Sequence, residues 1–407
     1  MHIGFTGPFS DANLGDFGML LNNVYDISPG NISIYSYNAS FINELSECYF
    51  SSYQTKVFQI ELIDNCDFCI VKEDFDGQKL LGLVSNLDEL YCDVEKLDCL
   101  VVNGGGYFNS LWSLPHRLPK LFSILVPVYI ALDIGKKIVF SANGFGPFVD
   151  SSLFFERIFK DLEGVTFNCR EKILSPSVLR GMGVEEEQLK YLPDDLLFIN
   201  ERLTVNENYG LDIQSNFFVF ETYRPVEEIK LDIEKYRNFF LRVKEQSGAS
   251  PIFIPFYEGR GGGDQAELFE SELGVPRLTS NTDSYVAIDR VINLISRAQF
   301  VLSDRYHAVV LSLAQGTPCF SVVRPVLGSN EYYYNKIYGL LKEVLGDLEQ
   351  PYGTYMFNTT DDAFKTLGAE LDNKIFSQKT IYSEFADTNL VALREIRESF
   401  IQIITGD

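Results

Sequence analysis

Positively charged residues are scarce in this sequence. Its 407 residues contain 34 Lys and Arg against 57 Asp and Glu, which gives a formal net charge of -23. Nucleic acids and anionic membrane surfaces are bound through a surplus of cationic side chains, so the composition argues against both as general partners. An anionic substrate would therefore need a local pocket of positive charge on an acidic body.

Long apolar runs are also missing. The first residues, MHIGFTGPFSD, have neither the charged start nor the apolar stretch of a signal peptide, and the apolar segment 121–132 is too short to span a bilayer. We therefore expect a cytoplasmic protein, with docking at the inner face of the membrane, through a partner or a lipid substrate, left open. Seven scattered cysteines, an odd number, are expected to be buried thiols.

Short apolar runs alternate with amphipathic segments along the chain. The runs include "CLVVN" at 99 and "KIVFSAN" at 137 in the first half, and "FFVFETY" at 217 and "QFVLSD" at 299 in the second. Strands that alternate with helices indicate parallel sheets, and runs without polar alternation fit strands covered on both faces. The pattern predicts an α/β fold with two separate domains.

The polar segment 200–216, NERLTVNENYGLDIQSN, is typical of a linker. We predict an N-terminal domain over residues 1–205, a C-terminal domain over 206–385, and a terminal amphipathic helix over 386–407 that is a candidate to pack back on the first domain. Ligands of parallel α/β sheets bind outside the carboxyl ends of the strands. The loops that follow the strands are therefore where a site is expected.

Loops of the first half carry glycine, asparagine and aspartate directly after strands. Glycines let the backbone approach a ligand closely, and their amides can hold an anion or a sugar. Each loop also has a structural alternative, a tight turn or a helix cap, and we expect Asp16 to be the N-cap of a helix. The paired aspartates of "YLPDDLLFI" could be a cap, a solvated turn or a general base. The residues singled out are Asn13, Asp16, Gly104, Gly105, Gly106, Asn143, Asp194 and Asp195.

The stretch "FVLSDRYHAVVLSLAQGTPCF" at 300–320 places Arg305 and His307 at the start of a predicted helix, although the chain has only three histidines. Ser303 or Asp304 is expected to cap this helix. Free N–H groups and the helix dipole attract anions there, and a guanidinium adds bidentate pairing. An Arg paired with the neighbouring Asp beside a buried His is the structural alternative. We favour a site for a small, highly charged anion.

A further arginine, Arg224, follows the first strand of the second half in "FVFETYRPVEE". Its position at the carboxyl end of a predicted strand makes it a candidate for the same site. A surface arginine before a proline is the alternative.

Motifs over most of the chain resemble, in order, the polysaccharide pyruvyl transferases. They are "NLGD", "LVVNGGG", "VFSANGFGPF", "CREKILSPSVLRGMGV", "LPDDLLF", "SDRYHAVVLSLAQGTP" and "YYYNK", of which the long Arg-x-His motif is the most specific. The resemblance implies a GT-B-like fold, with two Rossmann-like domains and a cleft between their parallel sheets. It also implies phosphoenolpyruvate as donor and two sugar hydroxyls as acceptor, with a pyruvate ketal and phosphate as products.

The resemblance also implies site residues. Arg305 and His307 match the family's Arg-x-His donor motif, with Ser303 beside them, and Arg224 matches an arginine after the first strand of the second domain. His307 would be the acid, because histidine titrates near neutrality, and the arginines would hold the donor's carboxylate and phosphate.

The first-domain loops would face the acceptor, with Asp16 or Asp194 as candidate base. No metal and no cofactor besides phosphoenolpyruvate is expected. Two alternatives stay open: a GT-B glycosyltransferase that uses a nucleotide sugar, and a non-catalytic binder of a phosphorylated metabolite. The acceptor sugar, its carrier and the oligomeric state are not predicted.

Overall fold

The computed structural model describes residues 1–63, 66–201, 203, 216–257, 262–279, 285–325, 330–348 and 351–406. The chain forms two compact units. The first comprises Met1–Asp11, Asp16–Asp195 and Leu393–Asp407, and the second comprises Ala12–Gly15 and Leu196–Ala392. Most of the predicted linker at 200–216, and with it the predicted boundary at 205/206, lies outside the described residues.

The first unit contains two parallel sheets. One has the strand order β3-β2-β1-β4-β6 and the other the order β5-β7-β8-β9. The described strands are β1 (His2–Thr6), β2 (Asn31–Ser36), β3 (Gln54–Gln59), β4 (Cys99–Val102), β5 (Gly105–Phe108), β6 (Ile138–Phe140), β7 (Asn143–Phe145), β8 (Phe167–Cys169) and β9 (Leu189–Tyr191). The helices are α1 (Leu14–Ile27), α2 (Ala39–Tyr49), α3 (Phe68–Glu73), α4 (Gly77–Leu81), α5 (Leu87–Val94), α6 (Leu118–Asp133), α7 (Ser152–Asp161) and α8 (Leu174–Gly181).

The second unit contains one parallel sheet with the order β11-β10-β12-β13-β14. Its described strands are β10 (Phe217–Glu221), β11 (Ser250–Phe253), β12 (Val301–Ser303), β13 (Cys319–Val322) and β14 (Met356–Phe357). The helices that follow are α9 (Val226–Ser247), α10 (Gly263–Leu273), α11 (Ile288–Arg297), α12 (Tyr306–Ala314), α13 (Glu331–Leu345) and α14 (Thr360–Thr405). The prediction of an α/β fold with parallel sheets in separate domains is confirmed.

The strands are apolar because helices cover both faces of the sheets. All residues of β4 and of β10 are buried, and stacked phenylalanines fill the space between sheet and helix. Phe218 of β10, for example, packs on Phe240 of α9 with ring centroids 5.9 Å apart, and on Phe300 beside β12 with centroids 4.6 Å apart. Each such side chain removed from water contributes about 1.5 to 3 kcal/mol, so these rings account for much of the driving force for folding.

The glycine and asparagine loops of the first unit do not lead directly into helices, as a strand-to-helix turn would. They continue as β5 and β7, which pair in parallel with Gly105 opposite Asn143. Gly105 has a φ of 147°, which side-chain-bearing residues rarely adopt. The glycine triplet therefore links the two sheets of the unit.

Two predicted helix caps are wrong. Helix α1 begins at Leu14, so Asp16 lies in its first turn and is not the N-cap. Helix α12 begins at Tyr306 with Arg305 at the N-cap position, where no side chain caps it, so neither Ser303 nor Asp304 is the cap. The predicted terminal helix at 386–407 is the last part of a longer helix, because α14 runs from Thr360 to Thr405 with one non-helical residue, Glu370, and Leu393–Asp407 belong to the first unit.

The expectation of buried thiols holds for only some of the cysteines. Cys99, Cys169 and Cys319 are buried as expected, whereas Cys48 and Cys92 are exposed. Within the described part of the chain, no helix combines the length and apolar character that a bilayer span requires.

Candidate functional site

Arginines follow neighbouring strands at one edge of the second unit's sheet. β10, β12 and β13 are adjacent, and the loops after them carry Arg224, Arg305 and Arg324. Because the strands are parallel, their carboxyl ends meet at the same edge. Arg324 was missed by sequence reasoning, although the rule of examining loops after strands would have found it behind "CFSVV".

The ring of Tyr223 holds two of these cations together. The guanidinium carbon of Arg305 lies 4.3 Å from the Tyr223 ring centroid, and that of Arg324 lies 4.4 Å from it. A cation over an aromatic face is attracted by the ring quadrupole, which offsets part of the repulsion between the two charges. Tyr223 itself is anchored because its backbone N–H donates to Asp304 at 3.1 Å.

A buried carboxylate fixes Arg305. Its Nε donates to Glu221 Oε1 at 2.9 Å, while the Ser303 hydroxyl donates to Glu221 Oε2 at 2.7 Å. The Ser303 oxygen also accepts the backbone N–H of Arg305 at 2.9 Å. Ser303 is buried, and its predicted contact with the donor gains no support, because its hydroxyl is committed to orienting Glu221 and Arg305.

Asp304 forms contacts with the loops that follow β10 and β13. Its carboxylate accepts the Thr222 hydroxyl at 2.8 Å and lies 3.5 Å from Nη1 of Arg324. Burial raises the pKa of Asp304, and the neighbouring arginines oppose that shift. The loops after β10, β12 and β13 are thus tied to each other by buried carboxylates.

Glu221 gives this cluster a pH dependence. Burial raises the pKa of Glu221 to about 7, against the lowering by Arg305. An unfolded glutamate releases its proton near pH 4.3, so between about pH 4.3 and 7 the folded chain binds more protons than the unfolded chain. The stabilisation from this group is therefore complete below that window and is lost as the pH rises through 7.

Glu221→Gln is accordingly expected to flatten the fall in the free energy of unfolding between pH 5 and pH 8. Over this range the wild type should lose up to about 3 kcal/mol of unfolding free energy that the variant does not lose. The reason is that about two pH units lie between pH 5 and the pKa of Glu221, and each unit corresponds to about 1.4 kcal/mol. Chemical denaturation at several pH values measures it. Glu227→Gln, at a carboxylate that is 84% exposed, is the matched control. An unchanged pH slope in Glu221→Gln would show that this carboxylate is not the titrating group.

Arg224 is heavily engaged by its own unit. Its guanidinium pairs with Asp232 at 2.9 Å and with Glu228 at 3.4 Å, and it donates to the Tyr236 hydroxyl at 3.2 Å. It lines, together with Arg324, a pocket of about 380 Å³ at the carboxyl edge of the sheet. The other charged and polar residues that line this pocket are Glu228, Asp232, Lys235, Asn358, Thr359, Thr360 and Asp361.

His307 lies in the first turn of α12, against the segment that begins α1. A Cβ atom on Gly15 would stand 1.7 Å from His307 Nδ1, so only glycine fits there. Asn13 Oδ1 accepts the Gly15 N–H at 3.2 Å, and the Leu14 N–H donates to the Phe256 carbonyl at 2.9 Å. Gly15 of the "NLGD" motif thus supplies the surface on which the histidine ring rests, and both it and Asn13 belong to the second unit.

Several predicted acceptor residues are structural within the first unit. A Cβ on Gly104 would lie 2.2 Å from Asp195 Oδ2, which explains the glycine without a ligand. Asn143 is buried in β7, with Nδ2 donating to the Ser141 carbonyl at 3.1 Å. Asp194 is buried in an ion pair with Arg170 at 3.2 Å, so its carboxylate serves the interior.

Other predicted acceptor residues keep some exposed surface. Asp16, Asn13 and Gly106 are half-buried, whereas Gly105 is buried within β5. The charge of Asp16 contributes, after burial, to a pKa of Tyr107 far above its ordinary value, so the aspartate lies near the glycine loop. That this loop faces the acceptor stays a prediction.

Two separate units built on parallel α/β sheets are characteristic of the GT-B fold. Solved structures agree with this fold. A UDP-N-acetylglucosamine 2-epimerase has a TM-score of 0.63 at 11% identity, covering 100% of this chain and 96% of its own. The Neisseria meningitidis UDP-GlcNAc 2-epimerase bound to UDP-GlcNAc has a TM-score of 0.56 at 10% identity, covering 94% of each chain.

The match to a family assigns the chain more specifically than the fold does. Residues 15–324 match the polysaccharide pyruvyl transferase family, and the chain belongs to it. The match covers both Gly15 and the Arg-x-His stretch, so the packed contact between them lies inside the family's common region. No curated protein matches the chain.

Proposed function

We propose that the protein transfers the pyruvyl group of phosphoenolpyruvate to two hydroxyls of a sugar, in a glycan or glycan precursor of a surface or exopolysaccharide. The observation that carries this proposal is the arginine cluster after β10, β12 and β13, in a chain of net charge -23. Family membership supports pyruvyl transfer, and a donor with a carboxylate and a phosphate requires several cations in one pocket.

The reaction can be written with these residues. His307 protonates the methylene carbon of the donor, which leaves positive charge at C2. A sugar hydroxyl adds to C2 and loses its proton, the C2–O bond to phosphate breaks, and the second hydroxyl adds and loses its proton to close the ketal. Arginines of this cluster hold the carboxylate and phosphate, Arg305 and Arg224 being the two that the sequence indicates, so the anion is neutralised by side chains and the reaction needs no metal or further cofactor.

A carboxylate is needed to take up the hydroxyl protons. Asp16 and Asp194 were both candidates, and their surroundings separate them. Asp194 is buried against Arg170, whereas Asp16 keeps part of its surface. We therefore keep Asp16 as the candidate base and assign Asp194 to the structure of the first unit.

A nucleotide-sugar transferase is the second candidate, because structural relatives bind UDP-GlcNAc. Purified protein should be tested for phosphate release from phosphoenolpyruvate with a panel of lipid-linked glycans, and for thermal stabilisation by phosphoenolpyruvate and by UDP-sugars. We expect acceptor-dependent phosphate release. Stabilisation by UDP-sugars alone would favour the nucleotide-sugar enzyme, and donor binding without release by any acceptor would favour a non-catalytic binder.

Arg305→Ala is expected to weaken phosphoenolpyruvate binding by about 10- to 150-fold, since a charge-assisted bond to a buried anion contributes about 1.5 to 3 kcal/mol. Arg305→Lys should restore only part of the affinity, because a point charge cannot pair bidentately. Isothermal titration calorimetry measures both. Arg237→Ala, which removes an arginine from the outer side of α9, is the control. Wild-type affinity in Arg305→Ala would end the anion-site assignment.

A further inference from the structure

The guanidinium of Arg324 has fewer hydrogen-bond and ion-pair partners among the described residues than that of Arg224. Arg224 contacts two carboxylates and a tyrosine hydroxyl within 3.4 Å. Among the described residues, the Arg324 guanidinium has one hydrogen-bond acceptor, Asp304, at the long distance of 3.5 Å, and otherwise only the Tyr223 ring. A bond of that length is weak, so most of the donor capacity of Arg324 is directed elsewhere.

The surroundings of Arg324 favour an anion as its further partner. Its side chain is 21% exposed and lines the 380 Å³ pocket, so a small ligand can reach it. Asp304, its nearest carboxylate, is already engaged by Thr222 and by the Tyr223 backbone. Both guanidinium groups lie against the Tyr223 ring, which restrains their positions and lowers the entropy lost when both bind one ligand.

We propose that Arg324 is a donor-binding residue, and that Arg305 and Arg324, spaced by Tyr223, each hold one of the two acidic groups of the donor. This rests on the proposed function and deepens it, because the Arg-x-His motif supplies only one of the two cations. The pair selects ligands that carry a phosphate ester and a carboxylate on one carbon over ligands with one acidic group. In this assignment Arg324 replaces Arg224 as the second donor-binding cation, and Arg224, held by its own carboxylates, forms part of the pocket wall.

The test compares Arg324→Gln, Arg324→Lys and the control Arg237→Gln by calorimetry with phosphoenolpyruvate and with inorganic phosphate. We expect Arg324→Gln to weaken phosphoenolpyruvate binding by about 10- to 100-fold and phosphate binding by less, since phosphate alone occupies one of the two cations. Arg324→Lys should recover part of the loss. Melting temperatures close to wild type would show that folding is not the cause.

A second pair of variants tests the role of the Tyr223 ring between the two arginines. Tyr223→Leu removes the ring and should weaken phosphoenolpyruvate binding, whereas Tyr223→Phe keeps the ring and should bind nearly as wild type does. Equal affinity of Arg324→Gln and wild type for both anions would overturn the inference. A wild-type protein that ignores phosphoenolpyruvate would overturn the proposed donor instead, and the phosphate measurements on Arg324→Gln would still decide whether Arg324 binds anions.

Discussion

His307→Ala is expected to lower turnover by about 100-fold or more while the donor still binds. The imidazole is the candidate acid for the donor's methylene carbon, and removing a general acid costs turnover rather than ground-state affinity. Single-turnover phosphate release gives the rate, and calorimetry gives the affinity. His116→Ala, at an exposed histidine, is the control and should behave as wild type.

His307→Gln separates the acid from a simple hydrogen-bond donor. Glutamine can still donate to a phosphate oxygen, but it cannot transfer a proton, so turnover should stay as low as in the alanine variant. Near-normal turnover in His307→Gln would reduce His307 to a phosphate contact and leave the acid unassigned. Gly15 packs on the His307 ring and so helps to hold it in one orientation, as a proton donor requires. This contact supports the expectation of low turnover in His307→Gln.

The parts of the site that could be predicted are those with a local cause. Apolar runs bounded by polar residues identify β10, β12 and β13, and a strand followed by an amphipathic segment puts Arg305 and His307 at a helix start. Parallel strands then bring their loops to one edge. None of these steps needs knowledge of a distant residue.

The remaining features depend on contacts between residues far apart in the chain. Glu221 is the last residue of its strand and becomes the partner of Arg305 only because β10 and β12 pair, with Glu221 opposite Ser303. Gly104 is needed because Asp195, ninety-one positions later, occupies the space of a side chain. Strands of three or four residues with glycine and asparagine, such as β5 and β7, lack the apolar signal that periodicity detects.

The terminal helix shows the same limit. Its amphipathic pattern predicts a helix, but the pattern cannot show that one of its arginines is buried. Arg397 is 1% exposed, and its guanidinium donates to Asp195 at 2.5 Å, to Asn23 at 2.6 Å and to Asp26 at 3.0 Å. The Ser141 hydroxyl completes the cluster by donating to Asp195 at 2.6 Å. The last helix is thereby joined to α1 and to the aspartate beneath the glycine loop, all within the first unit.

Arg397→Ala is expected to lower the free energy of unfolding by about 3 to 5 kcal/mol, because it leaves two buried carboxylates without their cation. Burial already raises the pKa of Asp195, and Arg397 is the main group that opposes this shift, so the variant should lose further stability as the pH rises. Chemical denaturation at pH 6 and pH 8 measures both effects. Glu398→Ala, at an exposed position one residue away on the same helix, is the matched control.

A compensating variant identifies the cause of the loss. Combining Arg397→Met with Asp195→Asn and Asp26→Asn removes the cation and both charges while nearly keeping the side-chain volumes. Replacing a whole buried ion cluster is far less costly than removing one member, so most of the lost stability should return. A loss below about 1 kcal/mol in Arg397→Ala, or no recovery in the triple variant, would show that packing of the helix rather than charge pairing holds the end of the chain on the first unit.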